Sequence, residues 1–343
     1  MSNQPTNQPL VSICIPSYNH QNYISQTIES IILQDYQNIE LIIIDDCSID
    51  NSDAVINSFF DKCKGRFSRF EYIKNAKNKG ISYNLNQAIK WAQGKYFYAI
   101  ASDDILMPFK TSLLVAEIEK LDDSYAAIFG DALFINENGK KVYINNDRKL
   151  FEYNDEQSIT DIKINKYYST VTEFFLKDRK LNKINDNIFD INYSDILISN
   201  FIPAMSSLLK LQCMKKVGGF KNGNRIEDFE MWLKLAQLYK LSFIKKPVAL
   251  YRIHSSNSFL AGCGVELLKD ECNIVFSQKN YVISNDYYRK LFYERLCYQL
   301  SYVNKYDEQF AKRSADFLSK WIFQKIGEKI TFFDNFSKIC ASK

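Results

Sequence analysis

At 343 residues, with 46% hydrophobic and 15% aromatic side chains, the chain can form a sizeable core, which excludes wholesale disorder. A formal net charge of +4 is too small at this length to point to nucleic acid as a partner. The eight cysteines are scattered with no Cys-x-x-Cys spacing, which fits a reducing cytoplasm better than a disulfide framework or a zinc site. Met1 to Pro9 is polar and lacks a signal-peptide pattern. No apolar run approaches the ~20 residues that span a bilayer, so any membrane contact is expected to be peripheral.

The first third alternates strand and helix patterns. Leu10 to Ile15 reads as a buried strand that Pro16 ends, and Ile24, Ile28, Ile31 and Ile32 then recur at helical spacing. Leu41 to Ile44 is a second buried strand running into Asp45-Asp46, followed by a helix over roughly Ser52 to Lys62. Phe70 to Ile73 is a short third strand. Ser82 is placed to cap a helix carrying Leu85, Ala88, Ile89 and Ala92, which Gly94 stops. Tyr96 to Ala101 is a fourth strand and leads directly into Ser102-Asp103-Asp104. Right-handed crossovers turn such a series into a mainly parallel, Rossmann-like sheet flanked by helices, an α/β fold with strand order 3-2-1-4.

After Pro108 come a helix with Leu113, Leu114 and Ile118, a strand at Ala126 to Phe129, and an Asn138-Gly139 hairpin turn. The pattern then degrades over 141–199 into an irregular insertion. Order returns at Phe201 to Leu209, Glu227 to Tyr239 reads as a helix, and the chain beyond about Ser258 is expected to be helical.

Ligands of open α/β sheets sit past the C-terminal ends of the strands, where Pro16 to Tyr18, Asp46 and Asp103-Asp104 converge. Asp46 can accept the N–H of a nucleobase, and backbone groups near Pro16 and Tyr18 can flank the ring; Tyr18 either stacks on it or packs. Asp103 and Asp104 repel unless a cation or several donors hold them. They can divide between a ribose hydroxyl and a divalent metal that neutralises a leaving diphosphate, or they can simply form a turn or helix cap. The first βα turn, Pro-Ser-Tyr-Asn-His, has no glycine, and there is no P-loop, which excludes the usual glycine-rich phosphate cradles. Glu227 and Asp228 open a helix: they are either macrodipole-favoured acids or contain a general base for an acceptor hydroxyl. His20 is expected to be an exposed loop residue. His254 can ligate a metal or, with Arg252, contact a diphosphate.

The run Val11-Ser-Ile-Cys-Ile-Pro-Ser-Tyr-Asn, then Glu40-Leu-Ile-Ile-Ile-Asp-Asp, Asn78-Lys-Gly and Ser102-Asp-Asp resembles family 2 glycosyltransferases of the GT-A fold. Val217-Gly-Gly-Phe, Glu227-Asp-Phe-Glu-Met-Trp-Leu and Tyr251-Arg-Ile-His continue the resemblance, which covers about residues 9–130 and 200–257. It implies a UDP-sugar donor, with Pro16, Tyr18 and Asp46 at the uridine and Asp103 at the ribose. Asp104 would bind Mn²⁺ or Mg²⁺, with His254 close to the metal or diphosphate. Asp228 would be the base of an inverting transfer, Arg252 and Glu227 being further diphosphate or acceptor candidates. It further implies a glycosyltransferase domain over 1–257, with 141–199 as acceptor region, and a helical extension over 258–343.

Ala101 departs from the pattern, standing where many members carry another acid. The general style resembles bacterial enzymes of O-antigen, capsule or lipooligosaccharide synthesis, with a lipid-linked glycan acceptor. Near the C-terminus, Phe317, Leu318, Trp321, Ile322 and Ile326 lie beside Lys320, Lys325 and Lys329. That stripe serves a membrane surface, or packing on the catalytic domain or a homodimer partner. A non-catalytic sugar-nucleotide module and a nucleotidyltransferase are the competing function classes.

Overall fold

The computed structural model describes residues 8–152, 167–176, 187–223, 225–255, 257 and 265–326, the last five by backbone alone. The chain divides into two compact units, residues 1–257 and 258–343.

In the first unit, β1 (Val11–Ser17), β2 (Ile39–Asp45), β3 (Arg69–Lys74) and β4 (Tyr96–Ala99) are parallel and lie in the order β3-β2-β1-β4. The crossovers carry α1 (Ile24–Ile32), α2 (Ser52–Asn57), α3 (Phe60–Arg66) and α4 (Ile81–Trp91). Every residue of β1 and β2 is buried, as expected of parallel strands covered on both faces. This is the Rossmann-like core that the apolar runs and their spacing indicate, and it matches the GT-A fold that the resemblance implies.

The chain continues through β5 (Ile105–Leu106), α5 (Lys110–Ile118), β6 (Tyr125–Ile135), β7 (Val142–Ile144), β8 (Leu150–Glu152), α6 (Val171–Leu176), β9 (Ile188–Ile191) and α7 (Tyr193–Ile198). Then come β10 (Ser207–Lys210), α8 (Leu211–Lys216), α9 (Glu227–Ala236) and β11 (Lys240–Arg252). These strands extend the sheet beyond β4 as β10-β6-β11-β5, and β9 pairs with β11, nine strands in all. β10 runs antiparallel to β4 and β6, while β6 and β11 are parallel to each other. The insertion is therefore not wholly irregular. It builds a separate β7–β8 ribbon, and it donates β9 to the main sheet. A capping box of Asn192 and Asp195 starts α7 directly after β9.

Three local expectations change. β1 does not end at Pro16 but continues to Ser17, Pro16 standing opposite Ile44 of β2. What ends near Pro16 is the pairing with β4. The last partners there are Cys14 and Ala99, and Ile100 N–H donates to Cys14 O at 3.0 Å. Proline has no N–H with which to extend that ladder, so the chain after Ala99 leaves the sheet and the crevice opens. The helix expected over Ser52 to Lys62 is broken into α2 and α3. At the break Asn57 Nδ2 donates to Asp53 O and Ser58 Oγ to Val55 O, side-chain bonds that compete with helix continuation. Gly80, not Ser82, occupies the cap of α4, with φ +82° and its N–H donated to Asp46. Gly94 lies beyond the helix, where an added Cβ would meet Ser12 Oγ at 2.6 Å and Tyr96 O at 2.7 Å. Close approach of backbone requires glycine there.

The second unit consists of α10 (Val265–Ser277), α11 (Lys279–Val282), α12 (Asp286–Asn304) and α13 (Glu308–Ile326), the helical C-terminal region expected from the sequence. Cys272, Val275, Phe292, Leu296, Leu300 and Ala315 form its interior. Leu318 is buried but Phe317 is 54% exposed, so the apolar stripe is divided between packing and solvent. The side chains of Ile322, Lys325 and Ile326, and Lys329 altogether, lie outside the described residues. No helix among the described residues is long and apolar enough to cross a membrane.

Candidate active site

The site lies where β1, β2 and β4 end. Asp46 follows β2 directly and is buried. Its Oδ1 accepts from Asn75 Nδ2 and Lys79 N–H (both 2.9 Å) and its Oδ2 from Gly80 N–H (2.8 Å), so it shapes the turn that starts α4. Pro16 borders a cavity described below, and Tyr18, just past β1, is 45% exposed instead of packed in the core.

Past β4, Asp103 and Asp104 are both buried but face different surroundings. Asp103 Oδ2 lies 2.9 Å from His254 Nε2, and Oδ1 lies 3.9 Å from His20 Nδ1. His20 Nδ1 is also 2.8 Å from Ser102 Oγ. The two imidazoles meet edge to face, with centroids 5.6 Å apart, and Tyr23 covers His254 at 4.8 Å. One ligand atom from each of His20, Asp103 and His254 falls within 4.8 Å of the others, a cluster able to hold a metal ion. Burial lowers the pKa of His20 and the Asp103 charge opposes that shift. The resemblance implies the metal at Asp104 and the ribose at Asp103. In the structure Asp103 lies between the two histidines and Asp104 lines the cavity.

His20, read from sequence as an exposed loop residue, is partly buried in this cluster. A signal was available: the 3-2-1-4 order puts the loop after β1 beside the loop after β4.

Arg252, at the end of β11, is completely buried. Its N–H donates to Asp104 Oδ1 (2.9 Å), Nε to Asp103 O (2.7 Å), Nη1 to Glu137 O (2.9 Å) and Nη2 to Gln26 Oε1 (2.6 Å). The guanidinium also lies over the Tyr23 ring at 5.0 Å. In this arrangement Arg252 ties the two aspartates, α1 and the turn after β6 together, and its donors are engaged by the protein itself. Asp104 Oδ2 and Asp103 Oδ1 remain buried with no hydrogen-bond partner among the described residues. Burial, then the neighbouring Asp103 charge, raises the pKa of Asp104 well above the usual carboxylate range. Buried orphan oxygens next to two imidazoles fit a divalent cation, since buried polar groups are normally partnered.

The cavity, about 90 Å³, is lined by Pro16, Asp104, Glu227 and Asp228, with Ile81, Leu85, Phe97, Met205 and Phe220 among its apolar walls. Glu227 and Asp228 open α9, and the segment before them is held by Asn86. That side chain brackets Phe220, donating to its carbonyl (2.7 Å) and accepting from its N–H (2.9 Å). Gly219 lies against it with φ +69°, where a Cβ would be 2.5 Å from Asn86 Oδ1. Burial, then the Asp228 charge, pushes Glu227 up to about 8, and burial pushes Asp228 up to about 6. Burial and the proximity of the two carboxyls thus favour the pair sharing one proton over both being ionised.

Fold and site define the chain as a GT-A-type α/β protein with a carboxylate-lined cavity and a His-Asp-His cluster able to hold a metal ion at the strand ends. The profile of glycosyl transferase family 2 matches residues 12–187, just over half of the chain, and the protein belongs to that family. An uncharacterized glycosyltransferase of Rickettsia felis is 27% identical over 273 residues, 78% of this chain but only 38% of that protein's length. The chain thus spans less than half the length of that relative. Among solved structures, S. aureus TarS 1–349 in complex with UDP-GlcNAc is similar with a TM-score of 0.64 at 13% identity, covering 92% of this chain and 81% of that one. The mannosyltransferase PcManGT of Pyrobaculum calidifontis, in complex with GDP-Man and Mn²⁺, gives 0.55 at 13% identity, covering 98% and 81%. At these identities the structural likeness speaks for the fold alone.

Proposed function

We propose that this protein is an inverting, metal-dependent glycosyltransferase. It would move a hexose or N-acetylhexosamine from a UDP-sugar to a hydroxyl of a glycan acceptor. The observation that carries this reading is one cavity at the strand ends that brings Asp104 together with the Glu227-Asp228 pair. Family membership supports the reaction class, and the TarS complex with UDP-GlcNAc supports the choice of donor. The resemblance to bacterial surface-polysaccharide enzymes supports a lipid-linked acceptor, and exposed Phe317 supports peripheral membrane contact through the C-terminal helices.

In this mechanism Asp228 takes the proton of the acceptor hydroxyl as its oxygen attacks the anomeric carbon. The bond from that carbon to the diphosphate oxygen breaks, and the nucleoside diphosphate leaves from the opposite face. Asp228 is suited to this because burial raises the carboxyls of the Glu227-Asp228 pair, which brings a base toward neutral pH. Asp103, His254 and His20 would hold the cation, and two imidazoles in the set favour Mn²⁺ over Mg²⁺, which prefers oxygen ligands. When bound, such a cation supplies Lewis-acid stabilisation of the leaving diphosphate. Pro16, Tyr18 and Asp46 line the nucleoside side.

The test is transfer and hydrolysis of UDP- and GDP-sugars with Mn²⁺ by wild type and Asp228→Asn. Transfer should collapse in the variant while nucleotide binding persists. Transfer retained in Asp228→Asn would remove Asp228 as the base, and binding without any turnover by wild type would favour a non-catalytic module.

A further inference from the structure

The His20, Asp103 and His254 cluster draws its ligand atoms from three separate parts of the chain: the loop after β1, the segment after β4 and the segment after β11. The loop that carries His20 is clamped to the loop after β2 by bonds at three successive residues. Asn19 N–H donates to Ser48 Oγ (2.9 Å), and Asn19 Oδ1 accepts from Ile49 N–H (2.9 Å). His20 N–H donates to Ser52 Oγ (3.0 Å). Gln21 N–H donates to Asp50 Oδ2 (3.0 Å), and Gln21 Oε1 accepts from Asn51 N–H (2.7 Å). Asn19 takes φ +55° to make this turn, a conformation that asparagine adopts more readily than most residues. Ser102 Oγ meets the His20 ring at Nδ1 (2.8 Å), and that nitrogen lies 3.9 Å from Asp103 Oδ1.

Asp103 Oδ1 is a buried carboxylate oxygen with no hydrogen-bond partner among the described residues, while Oδ2 of the same group meets His254. The carboxylate therefore stands between two imidazoles, and the clamp fixes one of them before any ligand arrives. A site with a single protein ligand depends on the diphosphate to complete its coordination. Three protein ligands already in place bind an ion with little further ordering. Two imidazoles also select among cations, because nitrogen donors suit transition metals, whereas Mg²⁺ keeps its water and prefers oxygen. We propose that His20 is the third protein ligand of the cation, so that the protein takes up a transition-metal ion without nucleotide and the diphosphate then joins an ion already bound. This deepens the reading of the cluster as the cation site of a glycosyltransferase and rests on it.

Titration of Mn²⁺ into the nucleotide-free full chain, followed by loss of the free-ion electron paramagnetic resonance signal, tests this. Wild type should bind Mn²⁺, Co²⁺ should displace it, and a roughly tenfold excess of Mg²⁺ should not. Spin-echo modulation of the bound Mn²⁺ should show coupling to the nitrogens of two imidazoles. His20→Ala should weaken nucleotide-free binding by about tenfold or more, the scale on which even the loss of a ligand's own hydrogen-bond partner acts. It should leave coupling to a single imidazole, while Mn²⁺ still tightens UDP binding because the diphosphate supplies oxygen ligands. The modulation is read on wild type, so the test stands even if His20→Ala does not fold. Mn²⁺ binding that begins only when UDP is added, coupling to one imidazole in wild type, displacement by Mg²⁺, or unchanged binding in His20→Ala overturns the inference. In each of those cases, UDP binding that Mn²⁺ tightens leaves the glycosyltransferase reading standing. If Mn²⁺ binds through both imidazoles but no UDP- or GDP-sugar binds, the glycosyltransferase reading falls and the role of His20 stands.

Discussion

The two ends of the parallel sheet treat their buried carboxylates in opposite ways. At the N-terminal end Glu40 is fully buried, and its Oε1 accepts from Ser12 Oγ (2.6 Å), Gln93 N–H (2.6 Å) and Gly94 N–H (3.2 Å). Its Oε2 faces Arg69 Nη1 at 3.3 Å. At the C-terminal end Asp103 and Asp104 are also buried, yet each retains an oxygen without a hydrogen-bond partner among the described residues. Both ends belong to the same strands, so the difference is one of purpose. A satisfied buried carboxylate stabilises the fold, whereas an unsatisfied one costs about 1–3 kcal/mol that a ligand can recover.

Substitutions at the two ends should therefore separate activity from stability. Asp228→Asn, at the C-terminal end, should lower transfer by on the order of 10²–10⁴-fold without loosening the fold, as read from kcat alongside thermal unfolding. Glu40→Ala should do the reverse. Removing the carboxylate leaves Ser12 Oγ and the Gln93 and Gly94 N–H groups without their acceptor, at a cost of about 1–3 kcal/mol, and the folded fraction should keep its nucleotide affinity. A Glu40 variant that unfolds normally but loses activity would break the contrast.

The pH dependence sharpens it further. With Asp228 raised to about 6 by burial, the folded protein holds a proton between roughly pH 4 and 6 that the unfolded chain has released. This group's contribution to stability therefore falls as pH rises through that window. Activity should move oppositely, rising through about pH 6 as the base ionises. Asp228→Asn should flatten the stability slope, and an unchanged slope in denaturant titrations would contradict the assignment. The smallest effect is expected in the C-terminal unit, where Phe317→Ser should weaken co-sedimentation with anionic vesicles while UDP affinity stays the same.

Legibility from sequence follows the same division. The β1–β4 core was readable because buried parallel strands are unbroken apolar runs, and the turn residues between them separate the elements. Asp46, Asp103 and Asp104 were readable as strand-end residues. Which of Asp103 and Asp104 lies between the histidines was not, because it depends on where the loop after β1 and the segment after β11 place His20 and His254. His20 was missed as a site residue for a related reason. It looks ordinary in its own loop, and its place in the cluster comes from residues far away in sequence. β9 was hidden because four residues within an Asn- and Asp-rich stretch acquire strand character only by pairing with β11.

The most direct test of the orphan carboxylates is calorimetric titration of UDP into wild type and Asp103→Asn, with and without Mn²⁺. Wild type should bind UDP substantially more tightly with Mn²⁺, and Asp103→Asn should lose that enhancement while keeping its metal-free affinity. UDP binding that is indifferent to Mn²⁺ in wild type, or an enhancement that persists in Asp103→Asn, would contradict the view that this end of the sheet leaves its oxygens unpaired to hold a cation.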